Sequence, residues 1–195
     1  MDFLTGIPTT ENGFDSIMVI VDRLSKRSHF IPTKKTLTSQ GAAQLYLDNV
    51  FKHHGIPQHI TSDKDIRFMA NFWHTIHRAL GTELLFTTTN HPAADGQSER
   101  TMRVLNQLLR SYCDEYYNKW DTLLSVVEFA YNTTYQKSID DIPFRVDYGY
   151  IPTGPAYALT WSEERFSPSA EQLQTTLKII QRRVQDKLVE AQQKP

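Results

Sequence analysis

Apolar positions in the first third of the chain fall in short runs separated by turn residues. Ser16 to Asp22 (SIMVIVD) is continuous and rich in β-branched residues, which predicts a buried strand. Met1 to Leu4 reads as a strand fragment. Ser28 to Thr33 reads as a third strand, with Pro32 near its end. Gly6, Pro8, Asn12-Gly13 and Asp15 supply turn chemistry between the first two runs. Together these segments predict an antiparallel meander. His59 to Ser62 and Glu83 to Thr88 predict two further strands.

The remaining pattern has a helical period. Ala42, Leu45, Tyr46, Val50 and Phe51 share one face behind the N-cap candidates Thr38 and Ser39, and Gly55 ends the run. Phe68 to Leu80 predicts a second helix with Phe72, Trp73, Ile76 and Leu80 on one face. A long helix is predicted from about Gln97 to Tyr117, striped by Met102, Leu105, Leu108, Leu109 and Tyr112. Trp120 to Tyr131 predicts another, and Ile142-Pro143-Phe144 opens a short segment that ends at Tyr148-Gly149. Composition shifts after Gly149. We therefore expect a core over residues 1–150, a linker over 151–168 and a C-terminal amphipathic helix over 169–195. In that helix Leu173, Leu177, Ile180, Val184 and Leu188 recur at roughly heptad spacing, a stripe that must be buried somewhere. The element order is that of an α/β chain with a ribonuclease-H-like fold: a mixed five-stranded sheet flanked by helices, plus the C-terminal helix.

Composition changes this picture little. The 195 residues carry 39% hydrophobic side chains, enough for a real core, and a net charge of −1. That charge argues against autonomous binding to a polyanion, so any such site must be a local patch or be made by bound cations. One cysteine, Cys113, excludes an intrachain disulfide and a cysteine zinc site, and points to an intracellular setting. The longest aliphatic run, Ile17 to Val21, is too short to span a bilayer. The N-terminus lacks the pattern of a secretory signal.

The candidate chemistry lies in carboxylates. Asp63 ends an apolar run, Glu99 lies just inside the predicted long helix, and residues 64–98 separate them. Two such groups about 4 Å apart repel by roughly 4 kcal/mol at an effective dielectric near 20. A folded chain brings them together for a cation or a shared proton. Hard oxygen ligands select Mg²⁺ or Mn²⁺. Three carboxylates around two such ions form a net cationic site suited to phosphoryl transfer. Asp2, on the first strand, is the third candidate.

The residues around these positions carry a resemblance. Met1-Asp2-Phe3, Ile20 to Lys26, His29-Phe30-Ile31-Pro32, Thr61-Ser62-Asp63, Phe68, His91-Pro92, Asp95 to Arg100, Glu128 to Asn132 and Pro143-Phe144 are similar to the catalytic core of a retroviral-type integrase, specifically that of gypsy-class LTR retrotransposons. The similarity covers residues 1 to about 150. It implies that Asp2, Asp63 and Glu99 are the catalytic and metal-binding triad for two Mg²⁺ or Mn²⁺ ions. It also implies cleavage of phosphodiesters and strand transfer that integrates element DNA into a target. The partners implied are double-stranded DNA and further copies of the chain, with no membrane, in the nucleus when chromosomal DNA is the target. Arg67, Arg100 and Arg103 are candidates for phosphate contacts.

Three positions depart from the family pattern. Met102 stands where family members read Asn. Asp65-Ile66 precedes Arg67-Phe68 in place of the usual pair. Ser138 to Phe144 lacks the family's glycine. They motivate an alternative, a catalytically decayed or co-opted fragment acting as a nucleic-acid- or protein-binding module. A ribonuclease H is a weaker third reading.

Ordinary roles compete at each position. The lesser reading of Asp2 is a solvated terminal carboxylate, of Asp63 a turn cap, and of Glu99 a first-turn glutamate favoured by the helix dipole. Asp22 is expected to pair with Arg23, and Asp65 and Asp95 to shape loops. His53, His54, His74, His77 and His91 do not form a matched zinc set.

Overall fold

The computed structural model describes residues 1–86, 92–154 and 168–193; side chains are also left out at 72, 76, 79, 92–102, 104, 168–170, 173 and 191–193. Three strands form the expected antiparallel meander: β1 (Asp2–Leu4), β2 (Ser16–Val21) and β3 (Ser28–Thr33). The register sets Asp2 opposite Val19 and Val19 opposite Phe30. Alternation along β2 explains why it is apolar throughout. Ile17 and Val19 enter one core cluster with Leu4 and Phe30. Met18 and Ile20 enter a second cluster with Phe3 and Ile31. The sheet therefore lies between two helical layers.

The β2–β3 turn is held by Asp22, but not by the expected pairing with Arg23. Its Oδ1 accepts from the backbone N–H groups of Leu24 (3.0 Å) and Ser25 (2.6 Å), a short-range arrangement that Asp makes readily.

On one face, α1 (Ser39–Tyr46) starts at Thr38, whose side chain accepts from Gly41 N. It continues through a π-helical turn (Leu47–Phe51) into α2 (Lys52–His54). After β4 (His59–Ser62), the second predicted helix is divided. Residues Ile66–Met69 form α3 and Asn71–Ala79 form α4, because Ala70 is extended at ψ 143°. β5 (Glu83–Phe86) pairs in parallel with β4.

The sheet itself differs from expectation. Five strands are present among the described residues, but as a three-stranded sheet and a separate two-stranded one rather than one five-stranded sheet. β1 has three residues and forms no ladder with β4, although the Met1 amino group donates to the Thr61 carbonyl at 2.7 Å. A strand so short offers little backbone for a second edge.

The opposite layer is built from α5 (Pro92–Glu115), a 3₁₀ turn (Trp120–Leu123), α6 (Leu124–Asn132) and α8 (Pro168–Gln193). Between α6 and α8 lies α7 (Pro143–Tyr148), capped by Gly149 at φ 79°. Helix α5 begins five residues before the predicted Gln97. Proline at a helix start has its φ preset and lacks an N–H that would have no partner there, so Pro92 suits that first position. The stripe of α8 is buried in the same core as β2: Ile180, Val184 and Leu188 pack with Leu105, Leu109 and Val127. Of the expected linker 151–168, residues 155–167 lie outside the described ones. Among the described residues no helix is long and apolar enough to cross a membrane.

Candidate active site

Asp2 and Asp63 stand at the junction of the two sheets. Asp2 belongs to β1, and its Oδ1 accepts from Phe3 N at 2.7 Å. Asp63 follows β4 directly, and its Oδ1 accepts from Asp65 N at 3.2 Å. The Asp63 side chain reaches solvent yet sits against the wall of a cavity of about 810 Å³ that Asp2 also lines. Partial burial pushes its carboxyl above the usual range. The charges of Asp2 and Asp65 add to that rise, against the Asp65 N–H and the Met1 amino group.

An aromatic and cationic stack connects the strand of one to the loop of the other. The Phe3 ring stacks on Phe68, with centroids 5.0 Å apart and an interplanar angle of 21°. The Arg67 guanidinium lies over the Phe3 ring at 3.5 Å. Asp65 receives Arg67 Nε at 2.7 Å and Nη2 at 2.6 Å, a bidentate pair that holds the Asp65 carboxyl below its usual range. Asp65 also caps α3 by accepting from Arg67 N. Residues 2–3 and 63–68 are thus clamped together.

Arg67 is buried in this stack, with its guanidinium already paired. Arg103 is exposed on α5. Glu99 and Arg100 fall within α5, and their side chains lie outside the described residues, as do those of Met102 and Asp95. His91 lies outside them altogether. Among the described residues no three of His, Cys, Asp and Glu are gathered to hold a metal ion. His77 is not free for such a role: it is buried against Trp73, and burial pushes its imidazole down to about 4. Cys113 is buried, with its thiol pushed up to about 12, so it is no nucleophile.

The cavity that the carboxylates line has further polar lining that sequence reasoning did not assign. Asp22, Arg23, Lys26, Arg27, His29 and His54 line it. These residues come from the β2–β3 turn, β3 and the end of α2. The fold brings them together from separate segments, so spacing gave no signal.

Asp140 clarifies one departure from the family pattern. It adopts a left-handed conformation, φ 52°, at the position where the family has glycine. Asp tolerates that region better than most side-chain-bearing residues, and its carboxylate accepts from the Tyr135 hydroxyl. The turn keeps a backbone shape that suits glycine.

No protein-family model matches the chain. It is 29% identical over 175 residues to the Transposon Tf2-3 polyprotein of Schizosaccharomyces pombe, covering 89% of this chain and 13% of the polyprotein. The chain thus spans about an eighth of the length of that relative. Among solved structures it is similar to the simian T-cell lymphotropic virus intasome in complex with PP2A regulatory subunit B56 gamma. That match has a TM-score of 0.59 and 21% identity, over 85% of this chain and 59% of that one. It is also similar to the HTLV-2 integrase catalytic core domain in complex with magnesium, in its trimeric form. There the TM-score is 0.55 and the identity 16%, over 75% of this chain and 95% of the other.

Proposed function

We propose that this homologue of a Tf2 retrotransposon polyprotein, with the ribonuclease-H-like fold of retroviral integrase cores, is an integrase catalytic core. It would cleave phosphodiesters with two metal ions and transfer DNA strands into target DNA. The observation that carries this reading is that Asp2 and Asp63, on β1 and at the end of β4, line one cavity. Two carboxylates on one cavity wall offer the hard oxygens that suit Mg²⁺ or Mn²⁺. Asp2, Asp63 and Glu99 would hold two such ions, which when bound activate an attacking oxygen and stabilise a leaving one.

The chain's own residues supply position. The Arg67–Phe3–Phe68 stack ties β1, which carries Asp2, to the segment that follows Asp63. Arg67, Arg100 and Arg103 remain candidates for DNA contact. Of these Arg103 has the exposed position suited to a phosphate, whereas Arg67 acts first on Asp65. Double-stranded DNA and further copies of the chain are the proposed partners, and the nucleus the place of action.

The test is joining or nicking of labelled duplex ends in Mg²⁺ or Mn²⁺. Asp63→Asn and Glu99→Gln should each abolish it. Intact activity in either variant overturns the assignment. A second reading, a decayed or co-opted fragment that binds nucleic acid or protein without catalysis, rests on Met102 and the altered loop. It predicts a folded chain that takes up no Mn²⁺. The left-handed Asp140 weakens its second ground, since that loop keeps its turn.

A further inference from the structure

Away from the two aspartates, β3, α2, α6 and α7 bring a chain of titratable groups together. Glu128 on α6 accepts from Phe30 N at 2.8 Å and faces His29 Nδ1 at 3.1 Å. The other nitrogen of that ring, Nε2, lies 2.8 Å from His54 Nε2. His54 Nδ1 faces Asp147 Oδ1 at 3.9 Å, and Asp147 Oδ2 accepts from Arg27 Nη1 at 2.7 Å.

Counting hydrogens fixes the tautomers. An ionised carboxylate only accepts, so His29 Nδ1 carries the hydrogen that Glu128 receives. A neutral imidazole has one N–H, so His29 Nε2 is bare and accepts. The hydrogen in the 2.8 Å bond therefore belongs to His54 Nε2, and His54 Nδ1 is bare while the ring is neutral. A first added proton goes to His54 Nδ1, toward Asp147, and the bond survives. A second would go to His29 Nε2 and set two N–H groups against each other. At 2.8 Å there is room for one hydrogen only.

We propose that His29 and His54 form a proton-shared latch, which holds α2 against β3 and α6 and releases when the pair takes up its second proton. The charged and titratable groups facing the latch are Asp22 at the end of β2, Arg27 before β3, Lys52 and His53 on α2, Glu128 on α6 and Asp147 on α7. Arg27 is not free to swing away. It is paired with Asp147 and lies over the Phe144 and Tyr148 rings at 4.8 Å and 4.2 Å. Burial, then the neighbouring His29 and Arg27, hold His54 below the ordinary imidazole range against the pull of Asp147. The second proton must enter a pair already charged at His54, so release falls at lower pH than the first uptake. Helix α2 runs through Gly55 to Gln58 into β4, which Asp63 follows, so the latch braces the wall of the cavity that the carboxylates also line.

The test uses the full chain. Histidine ¹⁵N shifts report tautomer and charge directly in the unaltered protein. The expected result at about pH 7.5 is an Nδ1–H ring for His29 and an Nε2–H ring for His54, and on acidification two separate protonation steps for the pair. Two rings that titrate together as ordinary imidazoles overturn the proposal. Urea unfolding gives an independent readout. In His54→Gln the side-chain amide can still donate to His29 Nε2 but cannot take up a proton. Between about pH 6 and pH 5 the unfolding constant of the unaltered chain should rise by up to about tenfold more than that of the variant. Equal acid slopes overturn the latch.

Discussion

Arg67 shows how much a single side chain is constrained beside the aspartates. It makes a bidentate pair with Asp65, stacks on Phe3, and is buried while doing so. Lysine would keep the charge but lose the planar fork and the flat face. Arg67→Lys should therefore lower stability by about 2 kcal/mol, read as a lower urea midpoint. It should also reduce strand joining, because β1 and the Asp63 loop are no longer clamped. An unchanged midpoint would mean that the stack contributes little. Nothing in the local sequence distinguishes this arginine from a DNA-contacting one. Its role depends on Phe3, which stands far away in the chain and meets it only in the fold.

At the scale of elements, legibility followed the strength of the local pattern. β2 was readable because buried faces on both sides require an unbroken apolar run, and Ile17 to Ile20 supply one. The break between α3 and α4 was not, since Ala70 favours helix by itself and is extended here only through its context. The split sheet was equally hidden. Pairing of β1 with β4 depends on long-range backbone geometry, which no residue pattern encodes. Where the α8 stripe is buried was not legible in its spacing, and the structure answers it. Ile180, Val184 and Leu188 fill the space between α5 and α6. Leu188 is fully buried. Leu188→Ala should cost about 2–5 kcal/mol through lost burial and the cavity left behind. Thermal unfolding checks this, and a cost well under about 1 kcal/mol would show that α8 docks only weakly.

For the molecule as a whole, the proposed site spans the junction between its two sheets. Asp2 is carried by the three-stranded sheet and Asp63 follows the two-stranded one, with no ladder between β1 and β4. A cation held by both carboxylates would join the two sheets, and its binding energy would appear as folding stability. At free Mn²⁺ about a hundredfold above its dissociation constant, the gain should be about 2.7 kcal/mol. Asp63→Asn should cancel that gain. The same substitution should act in the opposite sense without metal. The Asp63 carboxyl titrates above its unfolded value, so the folded state is penalised as the pH climbs through that window and fully so above it. At about pH 7 the amide removes the burial cost of the charge and the lesser repulsion from Asp2 and Asp65, and metal-free Asp63→Asn should be more stable than the parent chain by less than about 1 kcal/mol, given how exposed the group is. Parallel melts with Mn²⁺ and with a chelator, on both proteins, separate the two effects. The expected outcome is a crossing: the variant higher in chelator, the parent higher in Mn²⁺. An equal Mn²⁺ shift in both proteins would place the ion elsewhere and remove Asp63 from the site.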